Sequence, residues 1–216
     1  MRFGQKLDDV RCGSDPEWWP YWPNYKMLKM WIKAIQVHRC EESASEGSSS
    51  ESGEARVDPA TIRQSAGEVA FFKALHMELR KSAEFFTATE ALFEMRRNRV
   101  REGLRQLGNQ TNEAPAPQHA ESLLLESCLN VYKGLIMLEN FAVMSHTAFS
   151  KILKKHDKRT QYSTREQFMR NLVNLQSFAR YPKLKQMLGE LEKMYAEVTT
   201  LQPALPPPSS GGAEGG

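Results

Sequence analysis

Between Pro59 and Pro115 the chain carries no proline, and its apolar residues recur in alternating steps of three and four. Val69, Phe72, Leu79, Ala83, Phe86, Phe93, Val100, Leu104 and Leu107 mark a heptad-like seam, which predicts one very long helix. About 50 residues at 1.5 Å each span roughly 75 Å, and a seam that long needs a partner. The stretch from Leu123 to Leu153 supplies one, with Leu125, Cys128, Tyr132, Leu135, Leu138, Phe141, Met144, Phe149, Ile152 and Leu153. It reads either as one helix or as two broken near His146. A loop over Gly108 to His119, holding Pro115 and Pro117, joins the two stretches. Long helices joined this way pack antiparallel.

Smaller elements flank this pair. Arg2 to about Cys12 forms a short amphipathic helix with Phe3, Leu7 and Val10 on one stripe, ended by Gly13-Ser14-Asp15-Pro16. The run Trp18, Trp19, Pro20, Tyr21, Trp22, Pro23 follows, and its expected role is packing beneath the N-terminal helices rather than a partner surface. Asn24 caps a second helix reaching about Arg39, with Leu28, Ile32 and Ile35 as its apolar stripe and Trp31 beside it. Further on, Ser163-Thr164-Arg165-Glu166 offers a capping box for a helix carrying Phe168, Leu172 and Val173. Pro182 opens a last short helix with Leu184, Leu188 and Leu191. No repeat and no strand pattern is visible, so the fold class expected is all-α.

Composition divides the chain. Glu41 to Ala55 holds serines, glycines and acids with no base, and residues 41–57 are expected to be a disordered acidic insert. Asp58 and Pro59 then start the long helix, and residues 199–216 form a Pro/Gly tail expected to be disordered. The 216 residues allow one domain with a modest core plus such segments, here residues 1–40 and 58–198. Three cysteines, Cys12, Cys40 and Cys128, suggest neither a disulfide framework nor a metal site. No apolar stretch is long enough for a membrane span, and the N-terminus is no secretory signal, so nucleus or cytoplasm is the expected location.

The net charge of +3 is too small for a general nucleic-acid coat, but the positions of the charges are informative. Lys26, Lys29 and Lys33 share a face of the second helix, and no acid lies between Glu17 and Glu41. Lys151, Lys154, Lys155 and Lys158 share a face of the later helix, where Asp157 is the only local acid. Phe149, Ile152 and Leu153 take the opposite face. Like charges a turn apart destabilise a helix by a few tenths of a kcal/mol per pair, and a helix needing only solubility would interleave glutamates. A solvated lysine face stays open on spacing alone. Two such stripes, with the Tyr25 phenol one turn before Lys29, favour a compact, highly phosphorylated anion as ligand.

Three other readings compete. The stripes and tryptophans would also suit a nucleic-acid or anionic-membrane surface, although two short lysine blocks fit a compact ligand better. The long seam alone would suit a coiled-coil scaffold. Cys128, His146 and Glu139 could be assembled as nucleophile, base and third member, but no glycine-rich loop or paired-carboxylate motif accompanies them. No catalytic residue, no cofactor and no metal site is therefore expected, and His38 near Cys40 is read as surface and core.

The segments MRFGQKL, EWWPYWPNYKMLKMWIK and NFAVMSHTAFSKILKKHDKRT resemble the SPX domain. Its members begin Met-Lys-Phe-Gly, continue with a Tyr-Lys-x-Leu-Lys-Lys helix, and carry a Lys-Ile-Leu-Lys-Lys-x-Asp-Lys block after two long helices begin. The resemblance implies a helical bundle in which a small N-terminal hairpin packs on two long antiparallel helices. It implies a sensor of phosphate status that binds inositol polyphosphates and pyrophosphates. By resemblance, Tyr25, Lys29 and Lys155 form the inner phosphate cluster, Lys151, Lys154 and Lys158 the surrounding lysine surface, and Arg2 the N-terminal cation. A protein partner is implied too, in land-plant relatives a MYB-type transcription factor, with no direct nucleic-acid contact. Arg2 stands where the family has lysine, keeping the charge and adding a planar fork. Met30 stands where a second lysine is common, which would weaken the rim of the site.

Overall fold

A computed structural model describes residues 2–45, 65–110 and 120–201. Among these the regular elements are helices alone: α1 (Phe3–Cys12), a 3-10 turn (Pro16–Tyr21), α2 (Tyr25–Ser45), α3 (Ala66–Gln110) and α4 (Ala120–Thr160). They are followed by α5 (Arg165–Asn171), a 3-10 turn (Val173–Leu175), α6 (Ser177–Arg180) and α7 (Pro182–Leu201). Two compact units result, one of Met1–Leu92 with Leu135–Leu184, the other of Phe93–Gly134 with Lys185–Gly216.

In the first unit α3 and α4 run antiparallel. Phe71 stacks on His156 near one end, and Phe85 meets Phe141 farther along. Phe71, Leu75, Phe86, Leu135, Leu138, Phe141, Phe149, Ile152, Leu153 and Phe178 are fully buried between the helices. The seam of α3 differs from its sequence reading at its start. Val69 is exposed, while Phe71 and Leu75 are buried. Positions two apart lie about 200° around a helix, so the buried stripe cannot hold both Val69 and Phe71. α4 is one helix without a break at His146, whose Nε2 meets Asn174 Oδ1 at 2.9 Å.

The aromatic run after α1 packs in part: Trp22 is buried, while Trp19 and Tyr21 stay exposed. Asp15 accepts from the Glu17 N–H at 2.9 Å, which starts the 3-10 turn. Tyr21 stacks on Phe85 at 4.5 Å between ring centroids, and Trp18 and Trp22 set their edges on Phe85 and Phe141. Lys81 Nζ donates to the Trp22 carbonyl and Ser82 Oγ to that of Tyr21. This turn therefore bolts the start of α2 to α3. Asn24 caps α2 through its side-chain oxygen, which accepts from Met27 at 3.0 Å.

Several boundaries shift. α2 continues to Ser45, past the expected end near Arg39, so the first residues of the acidic segment are helical. The rest of that segment and the Asp58–Pro59 start lie outside the described residues. α3 runs through Gly108 to Gln110, and residues 111–119 of the expected loop lie outside the description. α7 is not short: it runs 20 residues, to Leu201, and buries Met187 where Leu188 was expected. Tail residues 202–216 lie outside the described chain.

The capping box at Ser163–Glu166 does not form. Thr164 holds the cap position of α5 without a side-chain cap bond. Asp157, in the last turn of α4, accepts instead from the N–H groups of Thr164 and Arg165 at 3.1 and 2.9 Å and from Thr164 Oγ1 at 2.6 Å. A carboxylate at a helix N-terminus satisfies orphan donors and the helix dipole together, so the box is redundant.

The second unit packs Phe93, Val100, Leu107, Cys128, Val131, Leu191, Met194 and Val198. Gly134 permits a close approach there, because a Cβ would collide with the Phe93 ring. Arg97 and Arg101 both bond Glu190.

Candidate functional site

Burial of one side of a helix dictates what the other side shows. In α2, Leu28, Ile32 and Ile35 turn inward, leaving Lys26 and Lys33 exposed and Lys29 half-buried. In α4, Phe149, Ile152, Leu153 and His156 turn inward. Lys151, Lys154 and Lys158 are exposed, and Lys155 is half-buried.

The two rows share one electrostatic neighbourhood. The Lys155 ammonium is pushed below its ordinary pKa first by burial, then by the charges of Arg159, Lys29 and Lys33. Lys29 and Lys33 act on Lys155 only because α2 and α4 present these groups toward each other. Arg159 is a cation that the sequence reading omitted. Its signal was present, since it stands four residues after Lys155.

The N-terminus closes over the same place. Phe3 sets its edge on Tyr25 at 5.1 Å, and Lys29 Nζ lies 5.5 Å from the centre of the Tyr25 ring. A methyl on Gly4 would stand 3.4 Å from Tyr25 Cδ1 and 3.7 Å from Lys29 Nζ. Arg2, Tyr25, Lys26 and Lys29 line one cavity of about 660 Å³ under α1. Burial moves the Tyr25 pKa farther above neutrality, and its protonated phenol can donate a hydrogen bond. The structure thus gathers Arg2, Tyr25 and Lys29 around one cavity and sets Lys155 within electrostatic reach of Lys29. Lys151, Lys154 and Lys158 do not line that cavity; they extend the basic face along α4.

Among the described residues, none of Arg2, Lys26, Lys29, Lys33, Lys151, Lys154, Lys155 or Lys158 forms an ion pair with a carboxylate. The local acid, Asp157, is occupied elsewhere. Burial opposes its ionisation, but hydrogen bonds from His156, Thr164 and the Arg165 and Thr164 backbone outweigh it and hold its pKa below the ordinary value. A dense group of cations lacking counter-charges can take up a polyanion through charge-assisted hydrogen bonds.

Each residue of the catalytic alternative has another partner. Cys128 Sγ donates to the Leu191 carbonyl at 3.5 Å, and burial raises its pKa, which suppresses the thiolate. His146 bonds Asn174, and Glu139 bonds Tyr181. Among the described residues no group of three or more His, Cys, Asp and Glu could hold a metal ion, and no helix is long and apolar enough to cross a membrane.

Residues 95–172 match the family model described as the SPX domain. SPX domain-containing protein 2 of Arabidopsis thaliana is 27% identical over 90% of this chain, and SPX domain-containing protein 5 of Oryza sativa subsp. indica is 26% identical over 97%. Over these residues, and across most of its length, the chain is similar to SPX domain proteins. It spans 64% of the length of the first relative and 71% of the second. The fold agrees with that of the SPX domain of Chaetomium thermophilum Glycerophosphodiester Phosphodiesterase 1, solved in complex with inositol hexakisphosphate. The TM-score is 0.59 at 23% identity, covering 92% of this chain and 99% of that one. The SPX fold accounts for the order of elements: a short hairpin of α1 and α2, then two long antiparallel helices.

Proposed function

We propose that this chain binds inositol polyphosphates or pyrophosphates on the face built by Arg2, Tyr25, Lys29, Lys151, Lys154, Lys155 and Lys158, and so reports phosphate status to a protein partner. The carrying observation is that Lys29 and Lys33 lie near enough to Lys155 for their charges to lower its pKa, which supports one anion site shared by α2 and α4. The inositol hexakisphosphate held by the Chaetomium thermophilum domain supports the ligand class. The reading is of a binding module, spanning residues 1–40 and 58–198, and not of a catalyst.

A charge-assisted hydrogen bond contributes about 1.5–3 kcal/mol. Five or six of them support roughly micromolar or tighter binding after the losses of immobilisation. Orthophosphate can satisfy only a few of these cations and binds far more weakly. Bound polyanion relieves the repulsion between α2 and α4 and orders both rows with α1. A partner that prefers that state is recruited by the ligand. A MYB-type transcription factor acting in the nucleus or cytoplasm is the partner class implied by resemblance to land-plant SPX proteins.

Calorimetry with inositol hexakisphosphate, accompanied by circular dichroism, tests the site. Lys29→Ala and Lys155→Ala should each weaken binding about tenfold or more with helix content intact. Unchanged affinity in both variants would remove the assignment. Competition by duplex DNA at equal phosphate concentration would favour a nucleic-acid surface instead.

A further inference from the structure

His156 sits inside the basic block, between Lys155 and Asp157, yet its ring is fully buried. Its Nε2 lies 2.7 Å from Glu68 Oε2 in the first turn of α3, and its Nδ1 lies 3.2 Å from Asp157 Oδ1. Glu68 is itself 1% exposed. Phe71 stacks on the ring at 4.7 Å with planes 1° apart, and Phe72 sets an edge on it. From the α4–α5 connection, Tyr162 lies 6.2 Å away, ring to ring, and Thr164 Oγ1 lies 3.3 Å from Nδ1. The charged or titratable groups facing the imidazole are thus Glu68 from α3, Asp157 from α4 and Tyr162 from the connection.

A carboxylate buried as deeply as Glu68, with the half-buried Asp157 on the other ring nitrogen, is best tolerated with a cation between them. We infer that His156 is a positioning residue of the basic face, held as an imidazolium whose two N–H groups clamp Glu68 of α3 to Asp157 of α4. The inference rests on the proposed polyphosphate reading for its functional consequence. The clamp fixes the turn that carries Lys155, Lys158 and Arg159 and, through Asp157, the first turn of α5. Loss of the ring proton removes one of the two N–H donors and the positive charge that links Glu68 to Asp157, while Asp157 keeps its bonds from Thr164 and Arg165. The lysine turn then loses its anchor, with no change in the lysines themselves.

The direction of titration agrees with the geometry. Burial disfavours the charged ring, but the hydrogen bonds and charges of Asp157 and Glu68 outweigh it and raise the His156 pKa above its ordinary value. A raised folded pKa contributes stability in full below the unfolded value near 6.5, and that stability is lost as pH rises through the folded value.

Glu68→Gln keeps the shape of the contact and removes its charge. Nitrogen shifts of the His156 ring should show an imidazolium in the wild type at neutral pH, with the titration midpoint about one pH unit or more lower in the variant. Inositol hexakisphosphate affinities of the two proteins are then compared as a ratio, in which the ligand's own titration cancels. The ratio should be about three to ten near neutral pH and approach one about two pH units lower, where both rings are charged. A purely structural contact would give a ratio independent of pH and would overturn the inference. A neutral ring in the wild type at neutral pH would overturn it as well, and this measurement stands even if Glu68→Gln fails to fold. Absence of hexakisphosphate binding by the wild type would sink the proposed function, while the ring's charge state would still decide whether the clamp exists.

Discussion

The lysine rows of the first unit and the arginines around Glu190 and Glu102 in the second meet opposite fates. In the second unit, Arg97 and Arg101 converge on Glu190, and Arg105 holds Glu102 in two bonds of 2.7 and 2.9 Å. The hydrogen bonds of Arg105 and Gln106 lower the Glu102 pKa to about 2. In the first unit, the lysine rows of α2 and α4 have no carboxylate partner among the described residues, and the acid within the α4 row, Asp157, is engaged by backbone N–H groups and by His156. Paired arginines are structural: each charge is answered within the fold. Unanswered lysines gathered on two helices raise the free energy of the fold and lower that of a complex with a polyanion. The same charge type therefore serves stability in one region and recognition in the other.

Variants can break this contrast, beginning with the largest effect. Removing both Lys29 and Lys155 as alanines should lower inositol hexakisphosphate affinity about 100-fold or more, with a melting temperature no lower than wild type. Arg97→Ala in the other unit should do the reverse. Its guanidinium is buried against Glu190, so stability should fall by about 2 kcal/mol in chemical denaturation while ligand affinity holds. Asp157→Asn lies between the two. It weakens the cap of α5 and one arm of the His156 clamp, at a loss of about 1 kcal/mol. Because the Asp157 pKa is depressed, its contribution is present above the ordinary carboxylate value and disappears as pH falls through the depressed one. Wild type should lose that increment on acidification, and the variant should not. Arg105→Ala, at an exposed pair, should change neither melting temperature nor affinity measurably.

Much of the fold was legible because long helices announce themselves by period. The pairing of the two long helices, the Asn24 cap and the inward stripe of α2 follow from local pattern. The misreadings have physical causes. Val69 for Phe71, and Leu188 for Met187, are errors of phase, since an approximate heptad leaves a short helix end free to rotate by two positions or one. The cap of α5 was misassigned because Asp157 reaches it from the preceding helix, beyond any local window. The site was legible only in part. Spacing put the lysines on two faces, but their convergence rested on the family resemblance, and spacing alone could not supply it. Glu68 and His156 went unnoticed because the partners stand 88 residues apart.

Convergence of the two rows is what the functional account requires, and the side-chain amine of Lys155 reports it directly. Its titration, followed by NMR in the wild type and in a Lys29→Met/Lys33→Met variant, separates burial from neighbouring charge. The account predicts a Lys155 pKa below the ordinary lysine value in the wild type and a rise toward that value when the two α2 charges are gone. A Lys155 titration indifferent to the loss of Lys29 and Lys33 would mean that the α2 and α4 rows do not share one site, and the account would be contradicted.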